Sequence, residues 1–265
     1  MTGELLTALD ARLPLVAVAT LVAGFMRGFV GFGAALITIP VLSYAFGPLV
    51  AVPSGAVMAL PTTLQLLPDA IRHGERAVVV PIAIAAFTAA PLGAWLLVSI
   101  DPALMKIVIS SLVISMVAML ARGWTLAGPA SVGVLVAAGG AGGLVQGAAG
   151  IGGPPVVAVV LSRPGPAVQQ RGNVLAVMTV ISLPALVPLW YHGLFTREAV
   201  LIGAALVPLS LISTWVGSRY FSTGGQRHFR RAALGVLAVV GVATFVEAVH
   251  DYLARDTDAA PVAVA

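Results

Sequence analysis

The chain has 265 residues, of which 59% are hydrophobic and 9% charged, with no cysteine and a net charge of +4. A soluble domain carries about 25% charged residues, so this composition cannot cover a water-facing surface and excludes a soluble enzyme or binding module. Without cysteine there are no disulfides, thiolate chemistry or cysteine metal sites. The arginines sit in loops between apolar runs, as membrane topology alone produces, so no nucleic-acid partner is expected.

Residues 1–12 read as an N-terminal tail in which Glu4 and Asp10 precede Arg12. No basic region precedes the first apolar run, unlike a cleaved signal peptide. Ten apolar segments follow. The first half, 13–122, holds segments at about Leu13–Val30, Ala34–Phe46, Val50–Ile71, Val78–Ile100 and Leu104–Leu120. The second half, 123–250, holds Ala130–Ala149, Pro154–Ser162, Asn173–Tyr191, Ala199–Ser218 and Ala232–Val249. An acidic tail, 251–265, ends the chain. No Asp, Glu, Lys or Arg lies between Arg27 and Asp69, nor between Arg122 and Arg163. A transmembrane helix needs about 20 apolar residues, so each gap holds two passes.

The halves repeat. Gly24, Gly28, Gly31 and Gly33 fall on Gly143, Gly147, Gly150 and Gly152 without a gap. His73-Gly74 recurs as His192-Gly193, and Ala56-Val-Met58 as Ala176-Val-Met178. The expected fold is therefore an all-α polytopic membrane protein of two repeats. Each repeat has about five segments, four long and one short, with a glycine-broken helix.

Charge placement selects the topology. With all ten segments crossing or dipping and the N-terminus outside, one face holds Arg72, Arg76, Arg122, Arg163, Arg171, Arg219, Arg227, Arg230 and Arg231. The other holds Arg12, Lys106, Arg197 and Arg255, a split of nine against four that satisfies the positive-inside rule. An eight-pass arrangement divides the same charges six against seven. Five segments per half is an odd number, so the second repeat is expected to be inverted. Inverted repeats with broken helices carry their site at the repeat interface near the bilayer midplane.

Gly24-xxx-Gly28 and Gly139-xxx-Gly143-xxx-Gly147 place small residues on one helix face, as close helix packing requires. Gly31-x-Gly33 and Gly150-x-Gly152-Gly153-Pro154-Pro155 leave that spacing. Proline suits the first turn of a new helix, so each reads as a chain break followed by a helix start, at Ala34 and at Pro154. Unwound backbone at membrane depth is tolerated only against protein or a water-filled cavity. A new helix start presents free N–H groups and a positive dipole end, an anion site. The competing reading is a pair of tight turns at the membrane surface. Neither stretch matches a nucleotide-binding glycine loop.

Gly28-x-x-Gly31-Phe-Gly33 with Pro40, and Gly147-x-x-Gly150-Ile-Gly152-Gly153-Pro154, resemble the twin signature of the TauE/SafE sulfite-exporter family. The resemblance spans nearly the whole chain. It implies a permease for sulfur-containing anions such as sulfite or organosulfonates, located in the bacterial inner membrane. The first copy departs from the usual pattern in Ala34-Ala35 and in Arg27 within the helix.

The expected substrate-binding set is Arg27, Gly31, Phe32 and Gly33 with Gln146, Gly150, Ile151, Gly152 and Gly153. Arg27, a turn before Gly31, either neutralises a bound anion or snorkels to the interface. Gln146 either donates to the ligand or bonds a neighbouring helix. Asn173 reads as a helix cap. Thr62, Thr63 and Gln65 lie between Pro61 and Pro68, where a kink could turn them towards a cavity. Trp95, Trp124, Trp190 and Trp215 read as interfacial anchors. No nucleophile elbow, zinc motif or paired carboxylates occur, so no enzymatic activity and no cofactor are expected.

Two functions stand: a secondary transporter of a small anion, coupled to the potential or to a proton or sodium gradient, and a non-transporting membrane subunit or scaffold. Replacing Gly152 with Ala is expected to separate them, by abolishing flux in a folded transporter or assembly in a scaffold.

Overall fold

A computed structural model describes residues 2–99, 131–149, 152–184, 186–229, 231–232 and 235. Within them every regular element is helical. The elements are α1 (Thr2–Val30), α2 (Ala34–Phe46), α3 (Pro48–His73), α4 (Arg76–Ser99), α5 (Val132–Ala149), α6 (Gly153–Ser162), α7 (Ala167–Ser182), α8 (Leu186–Tyr191) and α9 (Arg197–Tyr220). A π-helical turn, Phe221–Gly225, follows α9. The fifth expected segment, Leu104–Leu120, lies outside the described residues, as do almost all of the tenth, Trp124 and the acidic tail.

Among the described residues, four helices are long and apolar enough to cross a membrane: Leu13–Val30, Leu49–His73, Arg76–Gly93 and Arg197–Phe229. Ala34–Phe46 and Val132–Ala148 are shorter apolar helices. Helix α1 begins at Thr2, and its stretch apolar enough to cross a membrane is Leu13–Val30. The eighth segment begins at Ala167, not Asn173, and is interrupted near Leu183 and Pro184 before α8 resumes at Leu186. Proline supplies no N–H to an ongoing helix, which accounts for the stop. Helix α9 opens on a capped turn, where Thr196 Oγ1 accepts the Ala199 N–H at 3.2 Å.

Small residues set the packing. Helix α1 lies along α9, and α4 along α5. A Cβ on Gly28 would run into the Thr214 carbonyl, and one on Gly143 would stand 2.5 Å from the Ala86 carbonyl. Gly217 abuts the Phe25 carbonyl, and Gly93 abuts the Leu144 carbonyl. Between apolar helices in lipid, such close backbone contact supplies the association that water exclusion supplies elsewhere.

Helix α6 lies at the centre. Val156 to Ser162 are all buried, packed with Val30, Phe32, Ile82, Val174 and Ile181. The outward faces of the long helices carry exposed apolar side chains such as Leu64, Ile84, Phe87 and Ile212, a surface suited to lipid.

Candidate functional site

The site is built around the end of α1. The Gly31 N–H closes the last turn on the Arg27 carbonyl at 2.8 Å. Gly31 (φ 95°) and Gly33 (φ 94°) then turn the chain through left-handed conformations that a Cβ disfavours. Phe32, 1% exposed, is held between them in the core. Helix α2 restarts at Ala34 with no capping side chain on its first turn.

The second restart is made differently. Gln146 Oε1 accepts the Gly152 N–H at 2.8 Å, so the Gln146 side chain bonds the chain just before α6. A Cβ on Gly152 would meet the Gly142 carbonyl and the Gln146 Cβ. Alanine there collides with the backbone of α5, so the substitution proposed from sequence to separate transport from assembly would disrupt both.

The two restarts border one cavity of about 110 Å³, room for several waters or one anion of a few heavy atoms. Arg27, Phe32, Gly33, Gln146, Gly152 and Gly153 line it. Gly31 does not: it faces Val174 and Leu175. Gly150 and Ile151 lie outside the described residues. Among the described residues that line the cavity, Arg27 is the one that carries a charge. Its Nη2 donates to Thr63 Oγ1 at 2.6 Å, while its enclosed Nε has no partner among the described residues. Thr63 and Thr62 face the same space from α3, Thr20 from α1, and Ser210 and Thr214 from α9. The Thr214 hydroxyl is fully buried and has no partner among the described residues. Gln65 instead reaches the Leu211 carbonyl at 3.3 Å and is not part of the lining.

Sequence reasoning missed a second polar cluster beside the end of α1. Arg171, 4% exposed, donates from Nη2 to the Gly28 carbonyl (2.6 Å) and Ser218 Oγ (3.1 Å). Its Nε donates to the Phe29 carbonyl (3.1 Å) and its Nη1 to Asp69 Oδ2 (2.9 Å). A cation thereby meets the negative carbonyl end of α1, the favourable polarity for a helix C-terminus. Asn173 is no helix cap: it lies within α7, accepts the Glu75 N–H at 2.7 Å and donates to Glu75 Oε1 at 2.9 Å. Glu75 also pairs with Arg163 at 3.2 Å. The Asn173 hydrogen bond and the Arg163 charge hold the Glu75 carboxyl below its ordinary range, against a smaller opposing effect of burial. Only the clustering of Asp69, Glu75, Arg163 and Arg171 at segment ends hinted at this pairing.

Comparisons with curated proteins and with solved structures each found no match. The family model for the sulfite exporter TauE/SafE matches residues 16–244, most of the chain and all of the cavity described above. This multi-pass membrane protein therefore belongs to the TauE/SafE family of sulfite exporters.

Proposed function

We propose that the chain is a secondary transporter moving a small sulfur oxyanion, sulfite or an organosulfonate, through the cavity at the helix breaks. One observation carries the reading. Arg27, on a membrane-spanning helix, faces a mostly apolar cavity that a few threonine and serine hydroxyls also line, beside the start of α2. A charge inside a membrane helix is costly and is characteristically functional. Here Thr63 orients the guanidinium, and its Nε has no partner among the described residues. A helix start and a guanidinium directed at one space form an anion site. Gly33 and the first residues of α2 offer backbone N–H groups, and Gly153 borders the site from the other half.

The inverted-repeat architecture is part of the same proposal. It is supported by reciprocal packing, in which Gly217 meets the Phe25 carbonyl while Gly93 meets that of Leu144. Phe25 and Leu144 each follow the first glycine of their motif copy. Such repeats exchange access by rocking against each other around a fixed site. The host membrane is the bacterial inner membrane, with the arginine-rich face cytoplasmic. Energy comes from the membrane potential or a proton or sodium gradient, and no catalytic step is involved.

Reconstituted protein in proteoliposomes should move sulfite or one of sulfate, thiosulfate, taurine and sulfoacetate in competition with one another. Flux of none of these, with flux of a neutral solute, would remove the anion site.

A further inference from the structure

We propose that the polar cluster of Asp69, Glu75, Arg163, Arg171 and Asn173 is a gate that closes the cavity from the arginine-rich face and must part in each transport cycle; this rests on the transporter reading above. The cluster lies beyond the cavity, not in it. Along α3 the lining runs as far as Thr63. Asp69 follows six residues later, about 9 Å along the axis at the rise of an α-helix.

The cluster joins elements from both halves. Asp69 ends α3 and Glu75 sits in the α3–α4 link; Arg163 caps α6, while Arg171 and Asn173 lie in the first turns of α7. Arg171 ties α7 to α3 through Asp69, to α1 through the Gly28 and Phe29 carbonyls, and to α9 through Ser218. Its guanidinium also lies 4.5 Å from the Phe221 ring centroid. The approach is close: a Cβ on Gly172 would run into His73. Apolar contacts also join the halves here, Leu66 and Ala70 of α3 meeting Leu175 of α7, but each charged or amide group of the cluster is one that water can satisfy once the elements separate. A permanent seal needs no charges, since a buried ion pair stabilises no better than well-packed apolar side chains. A seal that opens to water does need them. The cavity itself approaches the opposite end of α7, where Ser182, Leu183 and Leu186 line it.

The cysteine-free chain allows a direct test. In the pair Glu75→Cys/Asn173→Cys, cross-linking by a short bis-maleimide, followed by removal of excess reagent, should stop sulfite flux in proteoliposomes, while each single variant treated alike should keep it. Flux that persists through complete cross-linking overturns the gate, as does failure of the pair to cross-link. Absence of flux in the unmodified wild type overturns the transporter reading itself, and the gate with it. A second variant avoids dependence on that pair. A cavity cysteine, Ala59→Cys, should react with an impermeant maleimide only from the arginine-poor face. Adding Asp69→Asn should raise labelling from the arginine-rich face about tenfold, the shift expected for losing one charged hydrogen bond. Unchanged labelling in a folded double variant overturns the gate.

Discussion

Arg27→Gln removes the one charge among the described residues that line the cavity while keeping a polar side chain, which ends two bonds short of the Arg27 Nη2 that bonds Thr63. Hydrogen bonds to charged groups are worth about 1.5–3 kcal/mol. Losing that interaction should therefore weaken anion binding by about 10- to 150-fold. The neighbouring donors remain: the Thr63 and Thr214 hydroxyls and the start of α2, which is why binding should weaken and not vanish. Arg27→Lys keeps the charge but loses the planar fork and the Thr63 geometry, so its loss should be smaller. Titration of sulfite against purified protein by calorimetry reads the affinity directly, with size-exclusion profile and helical circular dichroism as the check on folding. Unchanged affinity in a folded Arg27→Gln variant would refute the role of Arg27, leaving it a snorkelling residue. Weakening confined to an unfolded variant would refute it equally.

Thr63→Val leaves the Arg27 charge but removes its 2.6 Å acceptor; binding should weaken by about fivefold, near one ordinary hydrogen bond, in the same titration. Gly33→Ala forces a side chain into the left-handed region at φ 94° and should cost about 1–2 kcal/mol, seen as a lower thermal midpoint. Gly28→Ala sets a methyl against the Thr214 carbonyl and should cost about 1–3 kcal/mol by overpacking, again read by thermal unfolding. Glu75 has a lowered carboxyl pKa, so its contribution is present above the ordinary value of 4.5 and is lost as pH falls below it. Glu75→Gln should flatten that acid limb in a thermal-midpoint series against pH; an unchanged limb contradicts the pairing with Asn173 and Arg163.

Much of the architecture was legible because lipid imposes a simple rule on sequence. Apolar runs had to be helices, and α1 ends at Val30 and α2 starts at Ala34, the bounds of the first two apolar runs. The start of α7 was not legible from hydropathy. Gln169, Gln170 and Arg171 look like loop, yet they form the first turns of a helix whose Arg171 is buried. The partners that bury it are backbone carbonyls of α1, over 140 residues away, and carbonyls leave no mark in a residue pattern. Asn173 misled for the same reason: its partner Glu75 is 98 residues distant. Gly152 reads from the sequence as a site glycine whose replacement spares the fold, and only the proximity of the Gly142 carbonyl shows that it also packs against α5. In the candidate site, Arg27 and Gln146 stood out as polar residues in apolar runs. Their different tasks did not, since only geometry separates a guanidinium facing a cavity from an amide bonding the Gly152 N–H.

The most direct test is sulfite efflux from proteoliposomes, wild type beside Arg27→Gln at matched protein content. Saturable sulfite flux in the wild type, with the Arg27→Gln half-saturation raised at least about tenfold, is the expected result. Equal flux in both, or none in either while a neutral solute passes, would contradict an anion path built on Arg27.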